Sequence, residues 1–204
     1  NRNWLVGVIE KAKPDLFVFL GDSITVKPVS FSMEFVREAL AAAGKMFILP
    51  GNMEHRDIVL SWEKLPVMIM HNRTHDFCGF KFVGRGGSIP CPSPTPFEDP
   101  DEGFDSLIRP LMDGCDILLL HQPAYGFRDH IVGVGNVGSR TLRKLVEDTK
   151  PRLVLSGHIH EAKGMDFWEG VHFINPGALE SGNAADIEVD ERHVDVTFIT
   201  NPHA

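Results

Sequence analysis

Cysteine is scarce in this chain, and so are long apolar runs and any excess of positive charge. The three cysteines, Cys78, Cys91 and Cys115, are odd in number and lack paired metal spacing. That pattern points to a reducing cytoplasm rather than to secretion. Lysine and arginine number 20 against 28 acidic residues, a formal charge of -8. Such a balance gives no overall attraction for duplex DNA or an anionic membrane surface. The apolar runs fall far short of the roughly 20 residues that a membrane span needs, and no cleavable leader pattern is visible. What remains is an ordinary globular composition, 43% hydrophobic and 24% charged over 204 residues. A chain of that length buries a core as one domain without disulfides. It opens Asn1-Arg2-Asn3-Trp4, with no initiator Met, and runs almost at once into a helical pattern. An α/β domain usually places a strand before such a helix, so an upstream strand is expected.

Short apolar runs alternate with amphipathic stretches along the chain. Trp4 to Ala12 has helical spacing with Pro14 just beyond it. Leu16 to Leu20 mixes aromatic and β-branched residues, stops at Gly21-Asp22, and reads as a strand buried on both faces. Ser30 or Ser32 is placed to cap a helix through Leu40, with Gly44 as its stop. Lys45 to Leu49 is the next strand, ended by Pro50-Gly51-Asn52. A helix is expected around 56–65, then shorter strands near 67–70, 77–82 and 88–89. Pro90 to Pro100 holds five prolines and reads as a loop. Residues 104–112 have a helical pattern that Pro110 interrupts. Ile117 to Leu120 is a strand ended by His121-Gln122-Pro123, and 125–138 is a glycine-rich loop. Ser139 caps a helix to Lys150, stopped by Pro151. Leu153 to Leu155 is a strand ended by Gly157-His158-Ile159-His160. Val171 to Ile174 ends at Asn175-Pro176-Gly177, and Ile187 to Ile199 reads as a terminal strand pair.

Four of these strands therefore end in Asp22, Asn52, His121, and the pair His158 and His160. In open α/β sheets, ligands collect at the carboxyl ends of the strands. A carboxylate, an amide oxygen and three imidazoles form a mixed oxygen and nitrogen donor set. That set suits manganese, iron, zinc, cobalt or nickel better than calcium. Five protein ligands exceed what a single catalytic zinc takes, so two ions are more natural. The two oxygens of Asp22 allow it to bridge such a pair. Two ions roughly 3.5–4 Å apart hold the attacking and leaving oxygens of a phosphoryl displacement and lower the pKa of bound water. On an extended segment His158 and His160 face one way. Taken singly, Asp22 and Asn52 read more readily as turn residues; the ordered set is what favours a metal.

Gly21-Asp22, Gly51-Asn52, His121-Gln122-Pro123, Gly157-His158-Ile159-His160 and the later Asn175-Pro176-Gly177, in this order, resemble the motif series of the calcineurin-like metallophosphoesterases. The likeness covers roughly residues 1–180 and extends most closely to small prokaryotic, archaeal-type members. It implies a four-layer α/β/β/α sandwich and two divalent ions, manganese favoured. It also implies that Asp22 bridges them, that Asn52, His121 and His158 complete one site, and that His160 belongs to the other. Three departures stand out. The family's first motif, Asp-x-His, is absent and is expected upstream, which leaves the second site with only Asp22 and His160 in this chain. Thr25 stands at the last position of Gly-Asp-x-x-Asp. Met53 replaces the histidine that usually protonates a leaving group, which tilts the expected substrate toward phosphodiesters.

The expectation is a cytoplasmic, single-domain phosphoesterase acting on a small phosphoester, with no nucleic-acid or membrane partner. A homo-oligomer is compatible with the sequence. The rival reading is a scaffold that has kept the fold and lost the reaction. Arg85 in its glycine-rich loop, Glu161 beside His160, and Arg128 with His130 are further candidates near the site. Each reads as well as a turn or surface residue.

Overall fold

The computed structural model describes residues 1–23 and 29–204, so Thr25 lies outside the described residues. The chain runs α1 (Arg2–Ala12), β1 (Phe17–Phe19), α2 (Val29–Ala43), β2 (Met46–Ile48), α3 (Arg56–Trp62), β3 (Met68–Ile69), β4 (Arg73–Phe77), β5 (Phe80–Arg85), β6 (Ile117–Leu120), β7 (His130–Ile131), β8 (Gly135–Asn136), α4 (Arg140–Thr149), β9 (Leu153–Leu155), β10 (Gly164–Trp168), β11 (Val171–Asn175), β12 (Asn183–Val189) and β13 (Val194–Thr200). One sheet has the order β1-β2-β3 and is parallel. A second has the order β10-β11-β9-β6-β5-β4, with β11, β9, β6 and β5 parallel and an antiparallel strand at each edge. β12 and β13 form the expected hairpin. This is the mixed α/β class that the sequence pattern leads one to expect.

The strands are short, and their period-two alternation sorts the core. Met46 and Ile48 of β2 face Leu5, Ile9, Phe35, Val36, Ile58 and Trp62 of the helices. Phe47, between them, faces the other way and packs with Phe82, Ile117, Leu119, Leu153 and Ile174 of the large sheet. Leu118, Leu120 and Val154 point to the far side of that sheet, against Leu142, Leu145 and Val146 of α4. Fully burying one such side chain contributes about 1.5–3 kcal/mol, so each run is committed to both of its faces.

Several local expectations need correction. α2 already begins at Val29, so neither Ser30 nor Ser32 caps it. Ser32 is instead buried, with its hydroxyl meeting Ser23 Oγ at 2.7 Å and accepting from Trp62 Nε1 at 3.0 Å. Residues 104–112 form turns and a short 3-10 helix, Arg109–Leu111, because Pro110 has no N–H to continue an α-helix. The glycine-rich loop carries the two-residue ladder β7–β8. Ser139 does cap α4, its hydroxyl accepting from Leu142 N at 3.0 Å.

β1 is only half-buried along its length, unlike the doubly buried strand expected. A cavity of about 940 Å³ explains the difference: it is lined by consecutive residues of β1 and by every residue of β12. Consecutive residues point to both faces of a strand, so a cavity touching all of them lies against the strand edge. Phe17 N–H and Phe19 C=O bond toward β2, which turns the Val18 amide toward the cavity. The hairpin register, with Asn201 N bonded to Gly182 O, likewise turns the Ala185 and Ile187 amides away from β13. Among the described residues these groups have no backbone partner.

Candidate metal centre

Each expected ligand sits just beyond a strand whose register fixes its height. His121 directly follows β6, its amide bonded to Arg85 O at 3.1 Å, and its carbonyl accepts from Gly157 N at 3.1 Å. The 157 loop is thereby tied beside His121. Asn175 holds the other side of that loop, donating from Nδ2 to Ile159 O at 2.8 Å, while its Oδ1 accepts from Gly177 N. Asp22 and His158 both have left-handed backbones, φ 58° and 65°. A non-glycine residue there costs of order 1 kcal/mol or more and persists because its surroundings over-determine it.

The glycines next to Asp22 and Asn52 are required by close approach. A Cβ on Gly51 would stand 2.1 Å from Asp22 Oδ1, and one on Gly21, at φ 102°, would stand 2.4 Å from Gly51 N and 2.7 Å from His121 Nδ1. The two loops therefore meet backbone to backbone, a distance that no side chain permits.

The donor atoms converge. Asn52 Oδ1 lies 2.9 Å from His121 Nε2 and 3.0 Å from His158 Nδ1. Asp22 Oδ2 lies 3.4 Å from His121 Nε2, and its Oδ1 accepts from Met53 N at 3.0 Å. Asp22, His121 and His158 each place one ligand atom within 4.8 Å of the others. His121 Nδ1 donates to Leu20 O at 2.6 Å, which leaves Nε2 to present a lone pair to the cluster. Around a cation with bonds of about 2.1 Å, neighbouring donors stand about 3.0–3.4 Å apart. The residues present fit a divalent ion.

Without an ion Asp22 and His121 pair with each other, and a bound metal would displace the proton of His121 Nε2. Burial works against the Asp22 carboxylate, yet the charge of His121, its hydrogen bond and the Met53 amide hold the group below its usual range. Burial likewise opposes the His121 imidazolium, and Asp22 outweighs it and raises the pKa. Burial and the neighbouring His121 push His158 down to about 4, so at neutral pH it offers an uncharged nitrogen.

His160 does not join the cluster. The segment is not extended: His158 is left-handed and His160 opens a 3-10 turn, His160–Ala162, where it is exposed. The shared facing inferred from alternation therefore fails, although His160 lines the same cavity as Asp22, His121 and His158. Glu161 is exposed. Arg85 is buried in β5, bonded to Asp99 at 2.6 Å and Phe104 O at 3.1 Å, so it braces the interior and does not await a phosphate. Arg128 is held by Asp166 at 3.1 Å, and His130 is exposed.

Two groups that sequence reasoning passed over matter here. Glu54 is 1% exposed and accepts from the amides of Asp22, Ser23 and Gly51 and from the Ser23 hydroxyl. Burial, and then the charge of Asp22, raise its pKa. A carboxylate two positions after Asn52, facing that many donors, ties the first two ligand loops together. Cys91 brings Sγ to 3.8 Å from His158 Nε2, and burial keeps the thiol pKa high.

No curated protein matches the chain, but solved structures share its fold. One crystal structure superposes with TM-score 0.80 at 18% identity, over 96% of this chain and 92% of that one. TT1561 of Thermus thermophilus gives 0.72 at 19% identity, covering 96% and 91%. GAP50, the anchor in the inner membrane complex of Plasmodium, gives 0.63 at 13% identity, covering 98% and 78%. The family model for calcineurin-like phosphoesterases matches residues 2–162, a span that contains Asp22, Asn52, His121, His158 and His160. With its strand ends converging on one donor cluster and most of its length within that match, the chain belongs to the calcineurin-like phosphoesterase family.

Proposed function

We propose that the chain is a metal-dependent phosphoester hydrolase acting on a small phosphodiester in the cytoplasm, with manganese the favoured ion. The observation that carries this reading is the meeting of Asn52 Oδ1 with two imidazole nitrogens beside the Asp22 carboxylate. Bound there, a divalent pair supplies Lewis acidity and a hydroxide at neutral pH. The chain's own part is to hold the donors. The Leu20 carbonyl fixes the tautomer of His121, and the Met53 amide fixes one oxygen of Asp22 so that the other faces inward. Met53 has no proton to give a leaving group, which favours esters whose leaving group departs unprotonated. The free cysteines fit a reducing compartment, and the acidic balance of the chain argues against nucleic acid as substrate.

The upstream strand expected from the sequence has a seat in this reading. A strand occupies about 4.8 Å within a sheet and about 10 Å between layers, and the cavity of about 940 Å³ lies against the free edges of both β1 and β12. Asn1 donates to Glu180 O at 2.8 Å, just ahead of β12, and lines the same cavity as Asp22 and His160, so a strand leading into α1 would run along that cavity.

A second reading, a scaffold without turnover, draws support from Met53 and from the fold neighbour GAP50, which is described as an anchor. Hydrolysis of bis-p-nitrophenyl phosphate against p-nitrophenyl phosphate, with and without Mn, separates the two. Mn-dependent diester turnover that Asp22→Asn abolishes supports the enzyme. A folded protein inert with every divalent metal supports the scaffold.

A further inference from the structure

The amide of Asn52 has two nearly isosteric ends, and only the oxygen end serves a cation. Something must choose which end faces His121 and His158. The proline-rich segment 90–100, which the sequence marks only as a loop, does so. Asn52 Nδ2 donates to Thr95 Oγ1 at 3.0 Å. Thr95 Oγ1 in turn lies 2.5 Å from Glu98 Oε1, and the Thr95 amide donates to the same oxygen at 2.8 Å. The loop is docked on the Asn52 backbone as well, through Phe97 N to Asn52 O at 3.0 Å.

The direction of each bond follows from what each group can do. An ionised carboxylate only accepts, so the single hydroxyl proton of Thr95 is committed to Glu98. Burial works against that carboxylate, but the Thr95 hydroxyl and amide outweigh it and hold Glu98 below the usual range. With its proton spent, the Thr95 oxygen has only lone pairs left for Asn52. The NH2 end of the amide must therefore face Thr95, and Oδ1 must face the histidines. A flipped amide would set oxygen against oxygen at Thr95 and a donor at the metal centre.

We propose that Thr95 and Glu98 are positioning residues that orient Asn52 as a metal ligand, fixing the amide before any ion arrives. This rests on the metal-centre reading above. Outer partners of this kind change metal affinity about 10- to 100-fold when removed.

The test is Mn binding by titration calorimetry on the metal-free protein, for wild type, Thr95→Val, Thr95→Ser, Asn52→Ala, Asn52→Asp and the double variant Asn52→Asp/Thr95→Val. An aspartate presents oxygen at both ends and needs no orientation. The expected result is about a tenfold loss for Thr95→Val, recovery to within about threefold for Thr95→Ser, and little effect of Thr95→Val once Asn52 is Asp. If Thr95→Val binds as wild type does while Asn52→Ala loses affinity, the positioning role is overturned and the metal centre stands. If Thr95→Val costs the same in both backgrounds, its effect is general to the loop, and the proposal is overturned likewise. A wild type that binds no Mn overturns both readings together.

Discussion

Glu54 stands directly behind Asp22, taking the Asp22 and Gly51 amides on Oε2 at 2.8 and 2.6 Å and the Ser23 amide and hydroxyl on Oε1 at 2.6 and 2.8 Å. One buried side chain thus fixes the approach of two ligand loops that are 30 residues apart, counting from Asp22 to Asn52. Glu54→Gln replaces one acceptor by a donor and sets it against amide N–H groups. Chemical denaturation is expected to show a loss of about 1–3 kcal/mol, and Mn titration a 10- to 100-fold loss of affinity. A variant equal to wild type in both would mean that Glu54 already carries a proton, the direction in which burial and Asp22 push it.

Gly51→Ala tests the close contact of the same two loops. The new Cβ would fall 2.1 Å from Asp22 Oδ1, which the Met53 amide holds, and 2.5 Å from Asp22 N, which is backbone. The loops have to part, so a stability loss of about 1–3 kcal/mol is expected, with Mn binding abolished. Gly7→Ala is the matched control, because nothing lies within 4 Å of its Cβ position, and within a helix it should be neutral or slightly stabilising. If both variants bind Mn equally, the contact does not govern the centre.

The contrast between what the sequence displays and what it hides has a physical basis here. Asp22, Asn52, His121 and His158 were legible because each ends an apolar run, and parallel strands bring their carboxyl ends together. The shared facing of His158 and His160 is read from alternation continued past β9, and the left-handed turn at His158 breaks that alternation. Thr95 is 43 residues from Asn52 in a segment with no periodicity, and a contact of that kind has no local signature. Arg85 stands as a candidate only through its glycine-rich surroundings, and the glycines at 84 and 86 are there because a Cβ would collide with Met70 O and Pro50 O.

His71 predicts a dependence of stability on pH that is separate from the metal ligands. Burial, and then the charge of Arg85, lower its pKa to about 4, and the Gly86 amide donates to its Nδ1 at 3.2 Å. The folded value lies below the unfolded value of about 6.5, so between them the unfolded chain binds more protons. The contribution of neutral His71 is full above about pH 6.5 and is lost as pH falls toward 4, with a slope of at most about 1.4 kcal/mol per pH unit. Urea midpoints of wild type and His71→Gln, measured from pH 7.5 to 4, should converge as pH falls. Parallel curves would show that His71 titrates normally.

The slot between β1 and β12 gives the last prediction. The Val18, Ala185 and Ile187 amides face it without backbone partners among the described residues, whereas Phe17 bonds to Lys45 O at 3.0 Å. If the proposed strand of the same molecule fills the slot, all of these amides should exchange slowly with deuterium, and dilution should not alter the rates. With the slot open, Val18, Ala185 and Ile187 should exchange orders of magnitude faster than Phe17, because an unpaired edge amide meets water directly, and the strand is removed from the proposal. Protection that disappears on dilution would instead assign the slot to a strand from a second molecule.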